Sequence, residues 1–564
     1  MKIVVLSGGS GNDALIKGLK KIFSDNKELD INVIVNAYDN GKSTGVCRAV
    51  TDTLGVSDIR KNHSRMYEAT YGENVDANLM EFYSKRYDFP KGQEEKEVVA
   101  LLKKWNMEEY EQYVHNFFAN PKAKDFEYKD FSVSNIVYSQ MYKEIGYEKT
   151  NKHFCDRMKI DDFVTLNSFD NVYIKSKTQS GYVIPDEGEM VFWNNKDNKI
   201  VGTIFEGKSE YGLNPKAINL VNNADCIIVS TGTFWSSIQP TIQYLDFFKY
   251  INQSKATKIW AINNEEDGDS FGVSSLEFYD NMEKSGLDLS DFTILLNKDA
   301  RDSLKLTDNK HKFVFKTMGN NKGKHNGQLY AKAIMQVYYG LDCDFDTILF
   351  DFDDTLWARA TSVQQENISK DNVQYLNNNL AQKSIIVSGN SYESIKEKLS
   401  RIYGSNLDGF NVDIWADANS TLYKHNKVVE IIDKMLMDTD ADKLAKELEA
   451  RYGIKAKQVG QKLVNYRIKP LTPLERKLLV EIINANKEAS YIAKATGTTT
   501  VDILSKNNTK GAIFDHCKLQ GKKTLYIGDE TDRGNDEDIA NKCTKSINVK
   551  NVEETNILVK ILGE

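Results

Sequence analysis

The stretch Thr347–Trp357 reads TILFDFDDTLW and decides the fold of the second half of the chain. Its apolar opening suits a buried strand, and that strand ends in Asp-x-Asp-x-Thr, with Asp351, Asp353 and Thr355 at alternate positions. Carboxylates at the C-terminal end of a parallel strand lie where open α/β sheets bind ligands. Two of them two residues apart can hold a hard cation and still leave an oxygen free to attack.

Three further segments follow in order. Ser384–Val387 is strand-like and ends in Ser388-Gly389-Asn390. Val501–Leu504 leads into SKNNTKGAIFDHC, which contains Lys510. Lys523–Ile527 runs into GDETDRGNDEDIA, which contains Asp529 and Asp536. Strands alternating with helical patterns predict a doubly wound parallel sheet. Taken singly, each motif reads as an acidic strand end, a loop or a turn; the order and the elements that carry them make the case. A phosphate monoester dianion repels an attacking carboxylate, so a cation and a lysine must screen both. Oxygen donors favour Mg²⁺, and no His/Cys cluster suggests zinc.

These four segments resemble the motifs of the haloacid dehalogenase (HAD) phosphotransferases. The resemblance implies Asp351 as nucleophile, forming an aspartyl phosphate, and Asp353 as the acid and base. It implies Ser388 and Lys510 as phosphoryl contacts, and Mg²⁺ held by Asp351, Asp353, Asp529 and Asp536. The segment between the second and third motifs is too long for a simple crossover. An inserted α+β cap of the type-2 kind is expected over 392–503, with the HAD core at 343–391 and 504–564. PLTPLERKLL has a helix start at Thr472, with Pro473 and Glu475 following. The details are similar to the phosphomannomutase and sucrose-phosphatase branch. That similarity makes Arg359 a candidate phosphate or substrate contact, and Asn465, Tyr466 and Arg467 candidate substrate-facing cap residues. Asp354 stands where that branch has glycine.

The chain opens with KIVVLSGGSGNDALIKGLKKIF, a strand, a Gly8-Gly9-Ser10-Gly11 turn and an amphipathic helix. Such a turn lets backbone N–H groups approach a phosphate at a helix N-terminus. It is not a full dinucleotide fingerprint, and GKST at Gly41–Thr44 lacks the upstream glycine of a P-loop.

Asp39-Asn40-Gly41-Lys42-Ser43-Thr44-Gly45, Gly55–Arg60, SVSNIVYSQM with Asn135, Asn214–Pro240 and Ala261–Gly272 complete a second resemblance. Together with the glycine turn they look like the 2-phospho-L-lactate transferase family, which includes the gluconeogenesis factors, over about residues 1–340. The family pattern is roughly G-G-T-G, D-D-G-G-S-[ST]-G and G-D-I-R. This chain departs from it at Asn40, at Lys42, at Val46 and at Thr231-Gly232-Thr233.

The resemblance implies a Rossmann-like three-layer domain that binds a nucleoside-diphosphate-linked ligand and transfers its phosphoryl-linked group to a hydroxyl. Gly8, Gly9, Ser10, Gly11, Gly232 and Thr233, in the Gly232–Ser236 loop, would lie near the phosphates. Asp39, Ser43, Thr44, Arg60 and Asn135 would complete the site. A changed acceptor and a binding-only role both stay open.

The 564 residues accommodate three or four folding units. Six scattered cysteines without C-x-x-C fit a reducing cytosol, so a cytoplasmic location is expected. MKIVVLSGG runs straight into a strand rather than a signal peptide, and no apolar run reaches membrane-spanning length. A net charge of −7 without a basic block argues against nucleic acid as a partner. The expected organisation is therefore a Rossmann-like unit at 1–342 and a HAD unit at 343–564. The expected function is a bifunctional enzyme: an Mg²⁺-dependent phosphomonoesterase acting on a small sugar- or polyol-phosphate, fused to the transferase-like domain. A sugar phosphomutase, or a phosphatase regulated by a non-catalytic nucleotide-sugar-binding domain, are the alternatives. The oligomeric state, a homo-oligomer included, stays open.

Overall fold

The computed structural model describes residues 1–9, 11–24, 29–263, 268–298, 312–319, 325–360, 367–378, 383–417, 419–431, 438–452, 455–459, 462–465, 472–485, 491–496, 500–505, 509–532 and 536–563. The chain divides into two compact units, Met1–Asp342 and Cys343–Glu564. Both are α/β: parallel sheets flanked by helices.

Unit 1 is built on seven parallel strands: β1 (Lys2–Leu6), β2 (Asp30–Val35), β3 (Val164–Leu166), β7 (Cys226–Val229), β8 (Thr257–Ala261), β9 (Phe292–Asn297) and β10 (Lys312–Lys316). Their order is β10-β9-β8-β7-β1-β2-β3. Near-continuous apolar runs such as IVVL in β1 and CIIV in β7 are buried throughout, as strands covered on both faces require. The chain leaves β1 toward β2 on one side and returns as β7 on the other. The crevice at the C-terminal ends of β1 and β7 is thus the topological switch point.

A smaller antiparallel sheet is formed by β4 (Tyr173–Thr178), β5 (Val183–Ile184) and β6 (Ile200–Glu206). A helical block separates β2 from β3, centred on helix Val133–Ile145, whose residues from Val133 to Tyr142 are all buried. The charged run Gln93–Lys104 is helix Glu94–Lys104, with glutamates in its first turn and lysines in its last, which complements the helix dipole. Gly18 lets helix Asp13–Ile22 touch helix Gly327–Tyr338: a Cβ there would lie 2.0 Å from Gly327 O.

Unit 2 centres on β11 (Thr347–Phe350), followed by the short hairpin β12 (Trp357–Ala358) and β13 (Asn367–Ile368). Beside β11 run β14 (Lys383–Val387) and β22 (Thr524–Gly528), both parallel to it. β15 (Asp413–Ala416), β16 (Thr421–Lys424), β17 (Lys427–Ile431) and β23 (Lys545–Asn548) extend the sheet to β17-β16-β15-β14-β11-β22-β23. This corrects the cap boundary expected at residue 392. Helix Tyr392–Tyr403 and the strands up to Ile431 belong to the core, because β15 pairs parallel with β14 and β16 and β17 fold back on it.

The inserted elements are helix Asp438–Tyr452, β18 (Ala456–Val459), β19 (Lys462–Asn465), helix Pro473–Asn484, β20 (Tyr491–Thr496) and β21 (Thr500–Ser505). They make an antiparallel β18-β19-β21-β20 sheet with its own small core of Leu448, Leu479, Ile483, Ala493, Val501 and Ile503. The capping box read at Thr472 and Glu475 is formed. Among the described residues no helix is long and apolar enough to cross a membrane.

Candidate functional sites

In unit 2, Asp351 sits at the C-terminal end of β11, its N–H donating to Ile527 O of β22 at 2.8 Å. Lys510, fully buried, contacts Asp351 Oδ1 and donates to Asp536 Oδ1 at 2.5 Å. Oxygens of Asp351, Asp529 and Asp536 all lie within 4.8 Å of one another. Asp351 follows β11, and Asp529 and Asp536 lie in the connection that follows β22; together they form an all-oxygen donor set, which fits a hard divalent cation such as Mg²⁺. Burial, more than any neighbour, pushes the Asp351 and Asp529 carboxyls upward. Burial would lower Lys510, but the charges of Asp351 and Asp536 outweigh it and hold the ammonium on.

Asp353 does not join this group. Its Oδ2 accepts from Asn390 Nδ2 at 2.6 Å, and its Oδ1 lies 3.4 Å from Lys398 Nζ. Ser388 is buried at the end of β14, its N–H donating to Trp415 O at 2.8 Å and its Oγ accepting from Asn390 N at 3.1 Å. Arg359 is paired with Asp354 at 3.3 Å and lies 4.0 Å from Asp353. Asp354 adopts φ +53°, the left-handed conformation for which glycine is suited, so the loop keeps a glycine-like path with an aspartate in it. Asn465 is on β19; Tyr466 and Arg467 lie outside the described residues.

In unit 1 the glycine turn after β1 packs against the loop after β7. A Cβ on Gly11 would lie 1.5 Å from Thr231 O, and Thr231 Oγ1 donates to Gly11 O at 2.7 Å. A Cβ on Gly8 would lie 2.5 Å from Ser237 Oγ, and one on Gly9 2.3 Å from Asp58 Oδ1. Ser10 lies outside the described residues. Gly232 exchanges hydrogen bonds with Asn263, and Thr233 Oγ1 meets Ser237 Oγ at 2.9 Å.

Beside this turn lies a cavity of about 170 Å³ whose lining includes Asp39, Ser43, Thr44, Lys61, Arg86 and Glu187. Asp39, Ser43 and Thr44 are thus brought together, whereas Gly232 and Thr233 do not line this cavity. Arg60 turns inward, away from it. Its Nε donates to Asn135 Oδ1 at 2.8 Å and its Nη1 to Tyr83 O. Asn135 Nδ2 in turn donates to Ser43 Oγ at 3.0 Å, so Arg60 and Asn135 brace the cavity from behind.

Sequence reasoning missed several residues here. Glu187 arrives on the short helix Glu187–Val191, far along the chain, with its N–H bonded to Asn40 Oδ1 at 2.9 Å. Burial and the facing charges of Asp39 and Asp58 push its carboxyl well above the usual range. Arg48 is wholly buried and donates to Tyr38 O at 3.0 Å, Asp39 O at 3.1 Å, Val172 O at 2.7 Å and Asn171 Oδ1 at 2.7 Å. It fixes the backbone that presents Asp39.

Residues 3–335 match the sequence profile of the family described as 2-phospho-L-lactate transferase CofD. The chain belongs to that family. It is 24% identical over 299 residues to a gluconeogenesis-factor protein of Thermoanaerobacterium thermosulfurigenes, covering 52% of this chain and 78% of the relative. It is 21% identical over 263 residues to the gluconeogenesis factor of Listeria innocua, covering 46% and 66%. A solved protein of the UPF0052 family from Bacillus halodurans aligns with TM-score 0.44 and 16% identity, over 59% of this chain and 99% of its own. The C-terminal domain of Candida albicans trehalose-6-phosphate phosphatase aligns with TM-score 0.29 and 16% identity, over 39% and 93%.

Within this family's pattern, Lys42 replaces the second glycine of D-D-G-G-S, and the structure gives it φ +42°. In unit 2, Lys398 is a residue that the motifs did not single out, and Asn390 stood in the second motif with no role given to it. A lysine on an amphipathic helix reads as a solvated face, and only the fold turns it onto Asp353.

Proposed function

We propose that this CofD-family protein is bifunctional, with a divalent-cation-dependent phosphomonoesterase in unit 2 and a site for a nucleoside-diphosphate-linked ligand in unit 1. The observation that carries the first activity is the junction of Asp351, Lys510, Asp529 and Asp536 at the C-terminal ends of the paired strands β11 and β22. Asp351 attacks phosphorus, the bond to the leaving oxygen breaks, and an aspartyl phosphate forms. Asp353 gives the leaving oxygen its proton and then takes one from the water that hydrolyses the acyl phosphate. Ser388 and Lys510 hold the transferring group, and Lys510 offsets charge on both partners. Asp351, Asp529 and Asp536 would hold Mg²⁺, which supplies Lewis-acid screening of the phosphoryl oxygens.

The substrate class is a small sugar- or polyol-phosphate. In unit 1 the ligand's diphosphate lies in the switch-point crevice near Gly8 and Gly11. Asp39 orients a metal or an acceptor hydroxyl, and the family supports transfer of a phosphoryl-linked group.

The test is phosphate release from sugar phosphates, nucleotides and phospho-acids with Mg²⁺, comparing the native chain with Asp351→Asn. Release that falls about 10³-fold or more in the variant supports the phosphatase. No release from any substrate by folded, Mg²⁺-supplied protein would sink it. For unit 1, titration calorimetry with nucleoside diphosphates and their sugar adducts decides the ligand class.

A further inference from the structure

The lining of the unit 1 cavity carries both signs of charge: Asp39 and Glu187, with Lys42, Lys61 and Arg86, and the Ser43 hydroxyl beside them. Two of these cations are paired with one carboxylate from outside that lining. Asp130 Oδ2 lies 3.0 Å from Lys42 Nζ, and Asp130 Oδ1 accepts from Arg86 Nε at 2.8 Å. Arg86 Nη2 also donates to Ser43 Oγ at 3.2 Å, and Ser43 is buried in the cavity wall. Lys42 Nζ stands 5.3 Å from the centre of the Phe192 ring, an apolar side chain left exposed at the mouth.

Two features make this arrangement more than a surface ion pair. Lys42 has φ +42°, a left-handed backbone that strains a lysine, whereas Asp130, at φ +47°, is a residue type that enters this region more readily. Strain of this kind collects where a side chain is needed in a particular place. Glycine would relieve Lys42 but would remove the ammonium. The Asp130 carboxylate, by contrast, is half exposed at 51%, as Lys42 is at 52%, so the pair holds it weakly and it can be exchanged. Its backbone N–H is fixed separately by Asp88 Oδ1 at 2.7 Å, so the loop need not move when the side chain does.

We propose that Lys42, Arg86 and Ser43 form an oxyanion subsite of this cavity, and that Asp130 is its internal stand-in, displaced by a phosphoryl or carboxylate group of the ligand. The subsite deepens the reading of unit 1 as a ligand site and rests on it.

The experiment is calorimetry on the full chain with inorganic pyrophosphate, malonate, UDP and GDP, for the native protein, Asp130→Asn and Lys42→Gly. Removing the competing carboxylate in Asp130→Asn tightens pyrophosphate about fivefold, and Lys42→Gly weakens it about tenfold. Lys42→Gly keeps or raises the melting temperature, since glycine suits φ +42°. Malonate responding in the same way identifies a carboxylate as sufficient; pyrophosphate alone responding identifies a phosphoryl group. Affinities indifferent to both variants, or weakened by Asp130→Asn, overturn the subsite. Pyrophosphate binding that responds to the variants in a protein that binds neither UDP nor GDP supports the subsite and overturns the nucleotide reading. UDP or GDP binding indifferent to both does the reverse, and no binding of any probe to the native protein overturns both.

Discussion

Lys398 Nζ lies 3.4 Å from Asp353 Oδ1, reaching it from helix Tyr392–Tyr403. The same ammonium stands 4.7 Å from the Trp357 ring centre and 5.3 Å from that of Phe352, which leaves it few other directions. With Asn390 on the other oxygen, the Asp353 carboxyl is held in one orientation. Lys398→Met should lower kcat for phosphate release about tenfold, with a smaller change in KM. Steady-state kinetics with the best substrate of the panel checks this, and an unchanged kcat would remove Lys398 from the site.

The inserted β18-β19-β21-β20 sheet is joined to the rest of unit 2 by Lys494 of β20 and Asp538 of helix Glu537–Lys542, 3.4 Å apart. Asp538 Oδ2 also accepts from Gly511 N at 3.0 Å, next to Lys510. Cap position and the Lys510 backbone therefore share one carboxylate. Lys494→Met should speed proteolytic cleavage within the cap and raise KM several-fold, while Asp538→Asn should lower kcat as well. Limited proteolysis and kinetics on the two variants separate the effects.

Arg48 is a buried cation satisfied almost wholly by carbonyl oxygens, with its guanidinium 3.9 Å from the centre of the Tyr173 ring. Removing it leaves several acceptors unpaired in the interior. Arg48→Ala should cost about 3 kcal/mol or more in urea unfolding of unit 1. It should also abolish ligand binding at the Asp39 cavity in whatever protein remains folded.

His63 is buried between Tyr138 Oη, 2.9 Å from its Nδ1, and Cys155 Sγ, 3.7 Å from its Nε2. Burial lowers its pKa to about 4, below the ordinary histidine value. The unfolded chain therefore binds a proton between pH 6.5 and 4 that the folded chain refuses. Stability from this residue is complete above pH 6.5 and is lost as pH falls toward 4, by about 3 kcal/mol in the limit. Melting curves from pH 7.5 to 4.5 should fall less steeply for His63→Asn than for the native chain. Parallel slopes would refute the assignment.

Lys42 and Asp354, two of the positions where this chain replaces a pattern glycine, have positive φ, whereas Ser57, at the glycine of G-D-I-R, begins helix Ser57–Tyr71. The family patterns made these positions visible in the sequence, because a pattern records backbone shape as well as chemistry. The cap boundary was not visible in the same way. Helix Tyr392–Tyr403 and the strands to Ile431 carry ordinary helix and strand patterns, and only pairing with β14 assigns them to the core sheet. Arg60 was misplaced for a similar reason: a cation beside a loop motif reads as a ligand contact until its side chain is seen bonded to Asn135.

The sequence by itself determined the two α/β units, the strand ends that carry Asp351, Ser388 and Asp529, and the glycine turn after β1. These are local: apolar runs make buried strands, and the residues that follow them are short-range in the chain. Only the tertiary structure decided that Asp353 faces Asn390 and Lys398 rather than the three-carboxylate group. It alone brought Glu187 beside Asp39, and set Asp130 between Lys42 and Arg86. The partners in these contacts lie 37 to 148 residues apart. Such meetings depend on how helices pack across a sheet, which no local pattern encodes.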